Sequence, residues 1–276
     1  MDFSEATLAT LIDIVRQAAS DEIVPLFRNL PGDAIDTKAH ASDFVTKADR
    51  RAEEVITARV RDAFPLATVI GEEAVADDPG LLEKIADAER SVIIDPIDGT
   101  WNFVDGLPLF GVMLAVAEGG RTKLGIVYDP LGDDWVCAIE GLGAWYGNAK
   151  GARRRLSVTP VEDFRHAVGF FSIFLFEDEV EKARMAQKLA AFHRVLTLRC
   201  SAYEYRMLAL GSASFLLTPH IRPWDHAAGE LIFREAGGHA ALVDGRPYSP
   251  AREDGMLLLA PDEATWHALR EHFEVG

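Results

Sequence analysis

Cysteine is scarce in this chain of 276 residues, where Cys137 and Cys200 stand among apolar neighbours with neither CxxC spacing nor a nearby histidine. That excludes a disulfide framework, offers no zinc or redox signature, and predicts two buried thiols. Positive charge is also short: 28 basic residues face 44 acidic ones, for a net charge of −16. The average surface therefore repels duplex nucleic acid and anionic membranes, so neither is expected as a partner. No apolar run is long enough to span a bilayer. The amino terminus, MDFSEATLATLIDIV, has acids where a secretory signal needs basic residues, and Asp13 interrupts its apolar stretch. A cytoplasmic protein is expected. Internal repeats, low-complexity tracts and long linkers are missing too.

What is present is ample apolar material, 49% of the chain, enough for a large core in one domain over 1–276 made of two joined halves, about 1–150 and 151–276. Helical spacing runs from about Ser4 to Leu30 and from Thr46 to Phe64. Strand patterns fall at 68–70 and 92–94. Three more, at 112–117, 124–128 and 135–139, are separated by glycine-rich turn signals and predict an antiparallel meander. Helices are expected near 179–194, 201–210 and 225–236, and after Pro261. The Arg153-Arg154-Arg155 run reads as a solvated loop. Helices alternating with runs of strands predict a mixed α+β architecture in layers.

The most informative segment is Asp95-Pro96-Ile97-Asp98-Gly99-Thr100, at the end of the apolar run Val92-Ile93-Ile94. Asp95 and Asp98 supply hard oxygen ligands for cations, the Ile97 carbonyl lies between them, and Gly99 lets the backbone approach an anion closely. Each acid also has a plain structural reading. Asp before Pro and Asp before Gly occur in ordinary turns. Glu72 and Glu73 continue into Asp77 and Asp78 as an exposed acidic loop would. Asp49 completes a capping box with Thr46, and Asp225 suits a helix N-cap. His226 beside it reads as a surface or packing histidine, because the rest of the set is oxygen-based.

In DPIDGTWNF, residues 95–103, together with FVTKAD ending at Asp49, Gly71-Glu72-Glu73, and WDHAAG containing Asp225, the chain resembles the inositol monophosphatase family of metal-dependent phosphatases. The resemblance implies a layered α-β-α-β-α sandwich, two or three Mg²⁺ ions, sensitivity to Li⁺ and a homodimer. It implies that Glu72, Asp95 and the Ile97 carbonyl hold one ion, that Asp95, Asp98 and Asp225 hold another, and that Thr100, Asp49 and Glu72 orient the attacking water. Gly99 and Thr100 would bind phosphate oxygens, and Lys38 matches a lysine near the phosphate.

A small phosphate ester is the expected substrate. Histidinol phosphate, a nucleotide 3′-phosphate and a sugar bisphosphate are alternatives to an inositol phosphate, and a regulatory scaffold that binds another protein is the alternative of another class. On the substrate side the chain departs from the family. Thr218 stands where inositol phosphatases carry an acid that grips ring hydroxyls, and Tyr203 and Tyr205 stand where small residues are usual. Glu204 could return an acid from another direction, and Arg222 or His220 could favour a second anionic group.

Overall fold

Leu11, Ile12, Ile14, Val15 and Ala18 place the buried stripe of helix α1 (Glu5–Ala18) on one side, and Ser4 caps it by accepting from the Thr7 N–H. The computed structural model describes residues 1–31, 35–37 and 44–274. The α-helical pattern expected to reach Leu30 stops at Ala18, and a π-helical stretch (Ala19–Ile23) and a 3₁₀ turn (Val24–Leu26) follow. Pro25 lacks the N–H that a continuing α-helix needs. Strands β1 (Ile35–Thr37) and β2 (Phe44–Thr46) pair antiparallel, and helix α2 (Lys47–Ala63) follows directly.

Strand β3 (Thr68–Gly71) leads into helix α3 (Glu72–Asp77) and the short helix α4 (Lys84–Asp87). Strand β4 (Ser91–Asp98) is buried along its whole length and ends at helix α5 (Thr100–Val104). The predicted meander then forms as β5 (Gly111–Glu118), β6 (Arg121–Asp129) and β7 (Asp134–Ile139), and it extends into β8 (Gly143–Asn148) and β9 (Arg153–Arg155). The arginine run is thus an edge strand rather than a loop. Arg153 and Arg155 lie over the Trp145 ring and Arg154 over Tyr146. Solvated charge on a short edge blocks further pairing.

The second half comprises β10 (Val168–Phe171), α6 (Glu179–Leu189), β11 (Arg194–Leu196), α7 (Ser201–Ala209) and β12 (Phe215–Thr218). It closes with α8 (Pro223–Glu235), β13 (His239–Leu242), β14 (Leu257–Ala260) and α9 (Glu263–Phe273). The helix expected to reach Arg194 ends at Leu189, and Arg194–Leu196 instead pair in parallel with β10.

A seven-stranded sheet in the order β3-β4-β5-β6-β7-β8-β9 and a five-stranded one in the order β11-β10-β12-β14-β13 build the frame. Val92, Ile94, Leu114 and Ile126 face α1 and α2 in one core. Ile93, Met113 and Val127, from the opposite face of the same strands, meet α7 and α8 in a second. Leu216, Leu242, Leu257 and Leu259 of the smaller sheet join that second core, so α7 and α8 lie between the sheets. Phe215, Leu217 and Leu258 turn the other way, onto Met185 of α6 and Trp266 and Phe273 of α9. The layers are helix, sheet, helix, sheet, helix, as expected. Alternating apolar residues in each buried strand serve two layers at once. At Gly125 of β6 an added Cβ would stand 2.7 Å from the Ala228 carbonyl oxygen, so the missing side chain sets how closely α8 approaches the large sheet.

Candidate active site

Strands β3 and β4 run parallel with Gly71 opposite Ile94. The next residue of each segment is an acid, so Glu72, at the start of α3, and Asp95, within β4, lie side by side. Asp95 and Asp98, three apart, would point to opposite faces of a regular strand. The β4–β5 pairing shifts register between them, and Pro96 has no N–H to lose from the ladder there. That irregularity returns both carboxylates to one side. The third contributor is Asp225, in the first turn of α8 behind Pro223. The N-cap of that helix is Arg222, so the capping role read for Asp225 does not hold.

Ligand oxygens of Asp95, Asp98 and Asp225 all lie within 4.8 Å of one another. Asp95 Oδ1 is buried without a hydrogen-bond partner among the described residues. Asp98 Oδ2 is held from behind by the Ala202 N–H and by the Cys200 thiol at 3.1 Å. A clustered set of carboxylates with one buried oxygen unmatched fits hard divalent cations. Burial, and then the charge of Glu72, pushes Asp95 well above the usual carboxylate range. Burial and the neighbouring Asp98 do the same to Asp225. Burial raises Asp98 to about 6 against the opposing pull of the Ala202 and Cys200 donors.

The capping box predicted at α2 is present: the Thr46 hydroxyl accepts from Ala48 and Asp49 N–H groups, while Asp49 Oδ2 accepts the Thr46 N–H at 2.8 Å. The other oxygen of Asp49 faces Thr100. Thr100 Oγ1 stands 3.1 Å from Asp49 Oδ1 and 2.9 Å from the Ile97 carbonyl, so its one hydrogen serves these two acceptors. The capping bond and the bond from Thr100 thus share the Asp49 side chain. Burial raises it to about 7, with the Thr46 hydroxyl opposing.

Gly99 adopts φ +86°, and a Cβ there would meet the Leu109 carbonyl oxygen at 2.8 Å. The left-handed turn and the tight fit both require glycine. It sits directly before α5, whose first N–H groups belong to the Gly99-Thr100 corner.

Several residues that sequence reasoning did not single out hold this arrangement. Glu53, one helical turn beyond Asp49 on the buried face of α2, accepts the Glu73 and Ala74 N–H groups at 2.8 and 2.9 Å. It caps α3 from outside and so fixes Glu72; the exposed-loop reading fails for Glu73, which is 4% exposed. An acid at helical spacing among Ala52, Ile56 and Val60 was the available signal. Asn102 donates to the Leu109 and Leu198 carbonyls at 2.8 and 2.9 Å, which ties the signature segment to the chain before α7.

On the substrate side the outcome is mixed. A cleft of about 700 Å³ runs from Asp98 and Asp225 past the ends of β10 and β12, and Glu204, Thr218, His220 and Arg222 line it. The Thr218 hydroxyl donates to the His220 carbonyl at 3.0 Å, a local turn that occupies its hydrogen. Glu204 accepts the Leu198 N–H at 3.0 Å, and burial raises it to about 8. Arg222 pairs with Glu253 at 3.1 Å on the surface. Tyr203 and Tyr205 do not reshape the cleft: Tyr203 donates to Asp129, and Tyr205 shares a hydrogen bond with buried His226 Nδ1. His226 is therefore a packing residue. Lys38 lies outside the described residues.

The family model for the Inositol monophosphatase family matches residues 3–273. A Fructose-1,6-bisphosphatase/inositol-1-monophosphatase of Thermotoga maritima is 35% identical over 217 residues, 78% of this chain and 77% of that one. Nus factor SuhB of Vibrio cholerae is 36% identical over 205 residues, 73% of this chain and 72% of its own. Among solved structures, an inositol monophosphatase from Zymomonas mobilis superposes with a TM-score of 0.80 at 26% identity, over 99% of this chain and 100% of that one. With the layered fold, the cluster of Asp95, Asp98 and Asp225 and a match along nearly its whole length, the chain belongs to the inositol monophosphatase family.

Proposed function

We propose that the protein is a Mg²⁺-dependent phosphomonoesterase acting on a small phosphate ester. The observation that carries this reading is the cluster of Asp95, Asp98 and Asp225 with ligand oxygens within 4.8 Å and an unmatched buried oxygen on Asp95. Glu72, Asp95 and the Ile97 carbonyl would hold one ion and Asp95, Asp98 and Asp225 a second, with a third left open. Divalent ions bound there lower the pKa of a water and stabilise a leaving oxygen. The chain's own part is positional. With its hydrogen directed to Asp49 Oδ1, Thr100 Oγ1 can accept a hydrogen bond from the attacking water and hand it a fixed approach. Glu72 orients that water from the adjacent strand end, and the N–H groups of Gly99 and Thr100 hold phosphate oxygens.

Family membership extends the reading to a homodimer, a cytoplasmic location and inhibition by Li⁺. Among the described residues no helix is long and apolar enough to cross a membrane. The test is phosphate release from inositol 1-phosphate, histidinol phosphate, a nucleotide 3′-phosphate and fructose bisphosphate with Mg²⁺ varied. Release from at least one ester that rises with Mg²⁺ supports the proposal, and no release from any of them overturns it. The relative named Nus factor favours a second reading, a regulatory role through a protein partner. Under that reading an Asp95→Asn chain keeps its cellular role while losing turnover.

A further inference from the structure

Tyr205 is fully buried in α7 and stands where small residues are usual in the family. Its ring takes room that α8 leaves open: a Cβ added at Gly229 would overlap it, so the ring lies against the α8 backbone one helical turn beyond Asp225. The Tyr205 hydroxyl is 3.0 Å from His226 Nδ1. His226, 4% exposed, directly follows Asp225 and is also hydrogen-bonded to the His220 backbone. A carbonyl can only accept, so the neutral imidazole carries its hydrogen on Nε2 and Tyr205 donates to Nδ1. Tautomer and rotation of the ring are thereby fixed between α7 and the 218–222 segment.

The start of the same helix reaches Asp98. The Ala202 N–H and the Cys200 thiol, the latter at 3.1 Å, both donate to Asp98 Oδ2. Helix α7 thus grips Asp98 directly, and it grips the residue after Asp225 through a phenol. Two carboxylates brought together repel each other in a poorly solvated place, so the fold must hold their spacing before any cation arrives.

We propose that Tyr205 and His226 are positioning residues that lock the first turn of α8 to α7, and so keep Asp225 at the distance from Asp98 that the second cation position requires. The inference rests on the metal reading of these acids and assigns the groups behind them. Loss of a partner behind a metal ligand typically weakens metal binding by about 10- to 100-fold. Tyr205→Phe keeps the ring against Gly229 and removes only the hydroxyl. In calorimetric titrations of the full chain with Mg²⁺ it should weaken binding by about tenfold. Tyr203→Phe makes the same change on the same helix, where the hydroxyl donates to Asp129 instead, and should leave Mg²⁺ affinity within about twofold. His226→Leu should behave as Tyr205→Phe does, whereas His226→Asn, whose Oδ1 stands where Nδ1 was, should recover most of the affinity. Metal-free melting midpoints, taken beside the titrations, report stability alone. A Tyr205→Phe chain that melts lower but binds Mg²⁺ as the wild type does overturns the proposal. So does equal weakening by Tyr203→Phe, or an Asn variant at 226 that binds no better than the Leu one. If the wild type binds no Mg²⁺, crystal structures of wild type and Tyr205→Phe in chelator decide. An Asp225 carboxylate turned away from Asp98 in the variant alone supports the lock, and the metal reading alone fails; superposing carboxylates overturn both.

Discussion

Asp95 is the residue on which the site turns. It is the first acid after the apolar run Val92-Ile93-Ile94 of β4, it bears an oxygen unmatched among the described residues, and its carboxylate stands among those of Asp98 and Asp225. Asn in its place keeps shape and removes charge, so Asp95→Asn should fold normally and lose turnover by about a thousandfold or more, the several kcal/mol that a cation contributes to a transition state. Hydrolysis retained within about tenfold at saturating Mg²⁺ would refute the assignment. Thr100 tests the positioning of water separately. Thr100→Ser keeps an oxygen between Asp49 and Ile97 and should retain most activity; Thr100→Val preserves volume, removes the hydroxyl and should cut kcat about a hundredfold, the lower end of general acid–base contributions. Similar kcat values for the two variants would show that the hydroxyl serves structure alone.

At the level of elements, the site depends on how strands and helices end. α3 starts directly after Gly71 with no side chain of its own capping it, and Glu53 supplies the missing acceptors from α2. Glu53→Ala leaves one buried and one half-buried N–H group unmatched and should cost about 2–4 kcal/mol in a denaturant titration. It should also lower turnover, because Glu72 rides on the freed turn; a variant with reduced stability but unaltered kcat and Mg²⁺ dependence would separate α3 from the chemistry. The sequence carried the layered order, the meander and the acids at the strand ends, because buried strands leave continuous apolar runs and turns leave glycine. It did not carry the tethers. Glu53, Asn102 and the Ala202 N–H act across 20, 96 and 104 residues respectively, and no local pattern encodes a hydrogen bond over such separations. The same limit misplaced Tyr203 and Tyr205. The sequence shows two bulky rings where the family has small residues, whereas folding turns both hydroxyls to partners within the fold.

Across the whole molecule, a chain of net charge −16 gathers several of its acids into one poorly solvated place, and this cost makes stability depend on pH and cations together. Burial raises Asp49 and Glu53 to about 7 and Asp98 to about 6, and it places Asp95 and Asp225 well above the ordinary range. Each of these groups binds its proton more tightly in the folded chain than in the unfolded one, where carboxyls titrate near pH 4. Between pH 4 and 7 the folded state therefore holds more protons, and unfolding free energy falls as pH rises. Metal-free protein should melt higher at pH 5 than at pH 8. Mg²⁺ competes with those protons for the same oxygens, so its stabilisation should be small at pH 5 and large at pH 8. Melting curves in chelator and in Mg²⁺ at four pH values, with Na⁺ matched for ionic strength, provide the measurement. A metal-free midpoint that climbs steadily to pH 8, or an equal gain from Na⁺, would mean that these carboxylates are held by the fold and not by a cation. A gain specific to Mg²⁺ that grows with pH ties the charge of the chain, the burial of its acids and its proposed chemistry to one set of oxygens.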